Sequence, residues 1–180
     1  MLKLAIPSTE LFNGVTSEIY QVKAQTIALE HSLISISKWE EKWEKPFLLN
    51  DERTHEETID YIRCMTLTPN VDPYAYYCLN SNHIQQIKEY INKNATATTI
   101  QEFGNKRSSK EIITSELIYC WMIQLGIPFE CQKWHLNRLL TLIRVCSIKN
   151  SPQKKMDKRD VLKQYSQINA ARRAAANSKG

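Results

Sequence analysis

The side chains best suited to chemistry are Cys131 and His135, four residues apart within the apolar-rich segment FECQKWHLNRLLTLIRVC. On a helix that spacing puts both on one face, where a thiolate–imidazole pair or half of a metal site could be drawn. A metal needs further ligands and a nucleophilic dyad needs a group to orient its imidazole, and the sequence places no third residue nearby. The pair therefore reads as a buried thiol and a hydrogen-bonded core histidine. Carboxylates cluster at Glu40, Glu41 and Glu44 and again at Glu56 and Glu57, beside Lys42, Lys45 and Arg53. This spacing predicts solvated, ion-paired helix ends rather than acid–base machinery. The chain has no phosphate-binding glycine loop, no nucleophile elbow and no histidine pair at zinc spacing, and four glycines leave little room for the first two. No catalytic, cofactor-binding or metal-binding residue is predicted, and the expectation is a protein that is not an enzyme.

What remains is residues suited to binding. Trp39, Trp43, Trp121 and Trp134 are costly to expose and read first as core, although the stretch from Trp39 through Trp43 to Phe47 could form a hot spot on a binding face. The second candidate is the C-terminal end. From Ser147 onward there are nine Lys or Arg and two acids, a balance of +7, against 15 bases and 17 acids before it, a balance of −2. Lys158, Arg159, Arg172 and Arg173 stand there beside a narrow apolar stripe of Leu162, Tyr165 and Ile168. Such an arm suits a protein partner first and a merely solvated charged face second; salt-sensitive phosphate binding comes third, since Tyr165 is its one aromatic residue.

The elements that must position these residues follow from periodicity. At 180 residues, 42% hydrophobic and 24% charged, the chain has the size and composition of one folded domain with an appendage. Residues 2–6 and 20–30 read as strands of a small hairpin around Asn13-Gly14. Helical spacing predicts helices over Ser32–Trp43, closed by Pro46, over His55–Met65, opened by a Thr54/Glu57 capping box, and over Ser81–Lys93. Residues 94–110 read as a loop. A helix over Ser109–Leu125 stops at Gly126, and a nearly all-round apolar helix from about 129 to 150 is expected to be the central core helix, antiparallel to the one before it. A hinge at Ser151-Pro152 leads to a last helix from Asp157, as cap, to about Ala176. The predicted fold is mainly α: a helical domain over 1–150 with an N-terminal β-hairpin, and a basic C-terminal arm over 151–180.

Five cysteines without a CxxC pair, three of them in apolar helical segments, predict free, buried thiols and a reducing compartment. No signal-peptide pattern opens the chain and no run of about 18 apolar residues occurs, so neither secretion nor a membrane partner is expected.

The blocks HSLISISKWEEKWEKPFL (31–48), ITSELIYCWMIQLGIPFECQKWHLNRLLTLIRVCSIKN (113–150) and NAARRAAANSKG (169–180) resemble the tail assembly chaperones of long-tailed bacteriophages. IPFECQKWHLNRLLTLIRVC is the most specific of these stretches. The resemblance implies a cytoplasmic protein of the infected host that binds the tape measure protein, a long apolar helical polypeptide, and keeps it soluble until the tail tube assembles. It implies no catalytic residue. The alternatives are a structural subunit of the tail or head–tail joint, retained in the virion and contacting other tail subunits, and a nucleic-acid-associated protein using the arm. Self-association is compatible with each.

Overall fold

The computed structural model describes residues 1–14, 17–49, 53–99, 112–150 and 158–175. The chain divides into two units, Met1–Ile148 and Lys149–Gly180.

The first unit opens with four short strands, β1 (Leu2–Ile6), β2 (Thr9–Asn13), β3 (Glu18–Val22) and β4 (Gln25–Leu29). Antiparallel β1 and β4 pair Leu2 with Leu29, and β2 and β3 pair Thr9 with Val22. The register runs unbroken from one pair to the other, so this is one long hairpin interrupted near Pro7, which has no N–H to give to a ladder. The interruption turns the hairpin over. Leu4, Ile6, Ile27 and Leu29 point inward in the proximal half, whereas the inward residues of the distal half are Val22, Leu11 and Tyr20, and Phe12 and Ile19 face solvent. The expected small hairpin is thus corrected in extent. The 20–30 strand is two strands, and Thr9–Asn13 is a further one hidden behind Pro7.

Helix α1 (Leu33–Trp43) starts at a Ser32/Ser35 capping box and ends where Glu44 takes a left-handed conformation before Pro46. Helix α2 (His55–Met65) carries the expected Thr54/Glu57 box. A 3₁₀ turn (Pro73–Cys78) capped by Asp72 leads to α3 (Ser81–Ile91), capped by Asn80. Helix α4 (Ser115–Gln124) is shorter than predicted: residues 112–114 are not helical, and 100–111 lie outside the described residues. Gly126 follows at a φ of 63°, the left-handed conformation that ends the helix.

The largest correction concerns the segment after Pro128. A second 3₁₀ turn (Phe129–Lys133) and an extended Trp134 precede α5 (Leu136–Asn150). The cause is long-range: His135 forms a β-bridge with Ser32, and the Leu136 N–H donates to the His31 carbonyl at 2.8 Å. Those bonds hold residue 135 extended, which no helix passing through it could accommodate. Nor is α5 the central helix, because only Leu136, Leu139 and Ile143 of it are buried. That place belongs to α1, which packs against α2, α4 and the second 3₁₀ turn and buries Leu33, Ile36 and Trp39. Around them lie Ile59, Ile62 and Met65 of α2 and Ile118 and Met122 of α4. Each such side chain contributes about 1.5–3 kcal/mol by leaving water.

The second unit contains α6 (Lys158–Ala175), close to the predicted bounds; the proposed hinge and the Asp157 cap fall outside the described residues. Among the described residues no helix is long and apolar enough to cross a membrane.

Candidate interaction surface

Cys131 and His135 do not share a helical face, since one sits in the second 3₁₀ turn and the other in the bridge to Ser32. Both imidazole nitrogens are engaged by backbone: Nε2 donates to the Tyr90 carbonyl at 3.0 Å, and Nδ1 accepts from the Asn137 N–H at 3.3 Å. No nitrogen is left for the Cys131 thiol, so a thiolate–imidazole pair has no geometry here. All five cysteines are free, but only Cys131 is buried and Cys120 is exposed, which corrects the expectation of buried thiols. Among the described residues no group of His, Cys, Asp or Glu is placed to hold a metal ion.

The sequence gives no sign of the buried polar cluster around His135. The His31 ring stands edge-on to it at 5.2 Å, and His31 Nδ1 meets the Tyr61 hydroxyl at 2.5 Å. Tyr90, beside His135, donates its hydroxyl to Glu30 at 2.7 Å, and Glu30 holds the N-terminal ammonium at 2.9 Å. Burial first, then the neighbouring His135 and Arg53, lowers the His31 pKa to about 3, so this imidazole is neutral at physiological pH. Burial likewise raises the Tyr61 and Tyr90 hydroxyls above their usual range. These groups join elements distant in sequence and are closed to a substrate, with His31 and His135 both buried.

The carboxylates are also structural, though not as expected. Glu41, Glu44 and Glu56 are exposed, but Glu40 and Glu57 are buried. Glu40 accepts the Phe47 N–H at Oε1 and the Ser115 N–H at Oε2, each at 2.7 Å. Thr114 makes no side-chain cap for α4, so α1 supplies that cap through Glu40. Glu57 binds Lys45 Nζ at 2.6 Å and the Thr54 N–H at 2.8 Å, and these contacts hold its carboxyl below the usual range. Asp60, also buried, takes Lys42 Nζ at 2.6 Å and the Trp43 indole N–H at 3.0 Å.

The same packing revises the binding face expected at Trp39, Trp43 and Phe47. Trp39 is 0% exposed and donates its indole N–H to the Glu57 carbonyl, and Phe47 is buried edge-on against it. Trp43 is half-buried, with Lys42 and Lys45 over its ring. No partner reaches the first two without opening the core.

Exposed binding chemistry lies elsewhere. On α6, Leu162, Tyr165 and Ile168 are 69%, 62% and 40% exposed, at three-residue spacing along one stripe, and Arg172 and Arg173 are exposed in the last turn. Lys158 and Arg159 belong to its first turn. Between α4 and α5 an open groove of about 470 Å³ is walled by Trp121, Leu125, Leu140 and Ile143, with Arg144 at its edge. The sequence predicts these two helical segments packed antiparallel against each other; here this groove opens between α4 and α5. Comparison with protein-family models, with curated proteins and with solved structures finds no match to this chain.

Proposed function

We propose that this protein is a non-catalytic assembly chaperone of a long-tailed phage, which covers the apolar helical surface of the tape measure protein until tail subunits replace it. The observation that carries the reading is the stripe of α6, three large apolar side chains exposed on a basic helix of 18 residues. A surface of that kind lies along the apolar face of another helix, while its cations meet flanking acids. Contacts so few give modest affinity per copy, as release requires, and many copies along one client multiply it.

The test is co-expression with the tape measure protein of the same phage. The full chain is expected to raise the soluble fraction of that client, and a Leu162→Ser, Tyr165→Ser, Ile168→Ser variant to lose most of the gain. Equal solubility with and without the chain overturns the proposal, as does abundant, stoichiometric retention of the chain in purified virions, which marks a structural subunit.

A further inference from the structure

Between α2 and α3 lies a partly enclosed cavity of about 200 Å³. The helix backbones do not pack closely here, so side chains alone wall the space. Ile84, Ile87 and Ile91 recur at three and four residues along one face of α3, and Ile62 lines the cavity from α2. Ile62 and Ile87 are buried while Ile84 and Ile91 are half-buried, which gives an apolar floor and an accessible mouth. The polar groups on the wall are of one sign. Arg53, just before the Thr54 cap, contributes a guanidinium held in place: Nη2 donates to the Phe47 carbonyl at 2.6 Å, and the group lies over the Phe47 ring, 3.9 Å from its centroid. Lys88, one turn after Ile84, is exposed and makes no ion pair among the described residues. The two hydroxyls of the wall are committed elsewhere, Thr58 donating to the Thr54 carbonyl at 2.9 Å and Tyr61 meeting His31 Nδ1. Among the described residues no Asp or Glu lines the cavity.

We propose that this cavity binds a short aliphatic carboxylate of about six carbons, its head on Arg53 and Lys88 and its tail among the isoleucines. Charge selects the head: a guanidinium and an ammonium on one wall favour an anion, and they donate to carboxylate oxygens more strongly than neutral groups do. The isoleucines select the tail. A polyol of the same size would leave most of its hydroxyls against hydrocarbon without a partner, at a cost no pair of cations offsets. Volume sets the length. At roughly 30 Å³ of liquid volume for each water-sized group, the cavity takes about seven such groups, which a six-carbon chain with its carboxylate oxygens at the mouth fills. Nothing in this reading depends on α6 or on the client proposed for it.

The experiment is an NMR titration of the full isotope-labelled chain with sodium hexanoate, read from amide chemical shifts. Saturable shifts are expected at Thr58, Ile84 and Lys88. Butanoate, shorter by two CH₂ groups, should bind roughly fifteenfold more weakly, at about fourfold per buried CH₂. Decanoate exceeds the cavity and should gain nothing over hexanoate. Hexanamide keeps the tail but lacks the charge, and should bind at least about tenfold more weakly. Lys88→Gln changes an exposed side chain, so it should weaken hexanoate about two- to fivefold and leave the urea midpoint unchanged. Ile84→Phe fills the space with a larger side chain and should abolish the shifts in a chain that stays folded. The proposal is overturned by shifts that do not saturate, by hexanamide binding as tightly as hexanoate, or by unaltered binding in Lys88→Gln. Affinity that keeps climbing from hexanoate to decanoate also overturns it, because that marks adsorption to an apolar surface.

Discussion

Replacing Glu40 tests whether a single buried carboxylate links three parts of the fold. Its two oxygens accept the backbone N–H groups of Phe47 and Ser115, one in the turn after α1 and one at the start of α4. Hydrogen bonds to a charged group are worth about 1.5–3 kcal/mol each, and a buried N–H left without an acceptor bears its full desolvation cost. Glu40→Ala removes both acceptors and is expected to lower unfolding free energy by about 4 kcal/mol, a large share of the roughly 5–15 kcal/mol typical of a domain. Glu40→Gln keeps one acceptor oxygen but turns an amide N–H toward the second donor, for an expected loss of about 2 kcal/mol. Glu41→Ala, one residue along and exposed, is the control and should stay within about 0.5 kcal/mol. Urea titration followed by circular dichroism measures all three, with an unchanged slope as the sign that the unfolded state is the same. Amide exchange adds a local readout, because the Ser115 and Phe47 N–H groups should lose protection first in Glu40→Gln. If Glu40→Ala costs less than about 1 kcal/mol, the tie from α1 to α4 is not what holds these elements.

Acid should weaken the protein through His31, whose pKa stands near 3 when folded against 6.5 in the unfolded chain. The unfolded state then takes up the extra proton, so His31 leaves stability unaffected above about pH 6.5 and reduces it by up to about 1.4 kcal/mol per pH unit as pH falls toward 3. The urea midpoint measured from pH 7 to 5 should decline, with a shallower decline in His31→Gln; a flat wild-type profile would refute the argument. Gly126→Ala forces a Cβ into a φ of 63° with open space around it, so strain alone should cost about 1 kcal/mol in the same titration, and an unchanged midpoint would contradict it.

How much of this was legible in the sequence depended on how far each signal reached along the chain. The Thr54/Glu57 box, the stop at Pro46 and the left-handed Gly126 are set by neighbours within four residues, and α2 and the end of α4 were readable from them. The start of α5 was not, because it depends on a bridge between His135 and Ser32, over a hundred positions apart. Apolar spacing alone could not separate one long helix from a 3₁₀ turn and a shorter one. Glu40 and Glu57 stand in the sequence beside Lys42, Lys45 and Arg53, which suggested solvated pairs; the backbone amides that bind buried Glu40 leave no trace in charge spacing. The α6 stripe followed from periodicity. The stacking of Tyr20 on Tyr74 did not, since one belongs to a strand and the other to a 3₁₀ turn.

The reversal of the hairpin near Pro7 also constrains how this gene can change. Losing one codon from only one arm of the break would slip half of the ladder against the other. It would carry Phe12 inward or Tyr20 off its Tyr74 partner. Losing one from each arm would preserve the pairing but undo the turnover, exchanging the two faces of the distal half. Lineages that keep the Tyr20–Tyr74 ring stack are therefore expected to hold the spacing from Ile6 to Thr9 and from Val22 to Gln25 fixed.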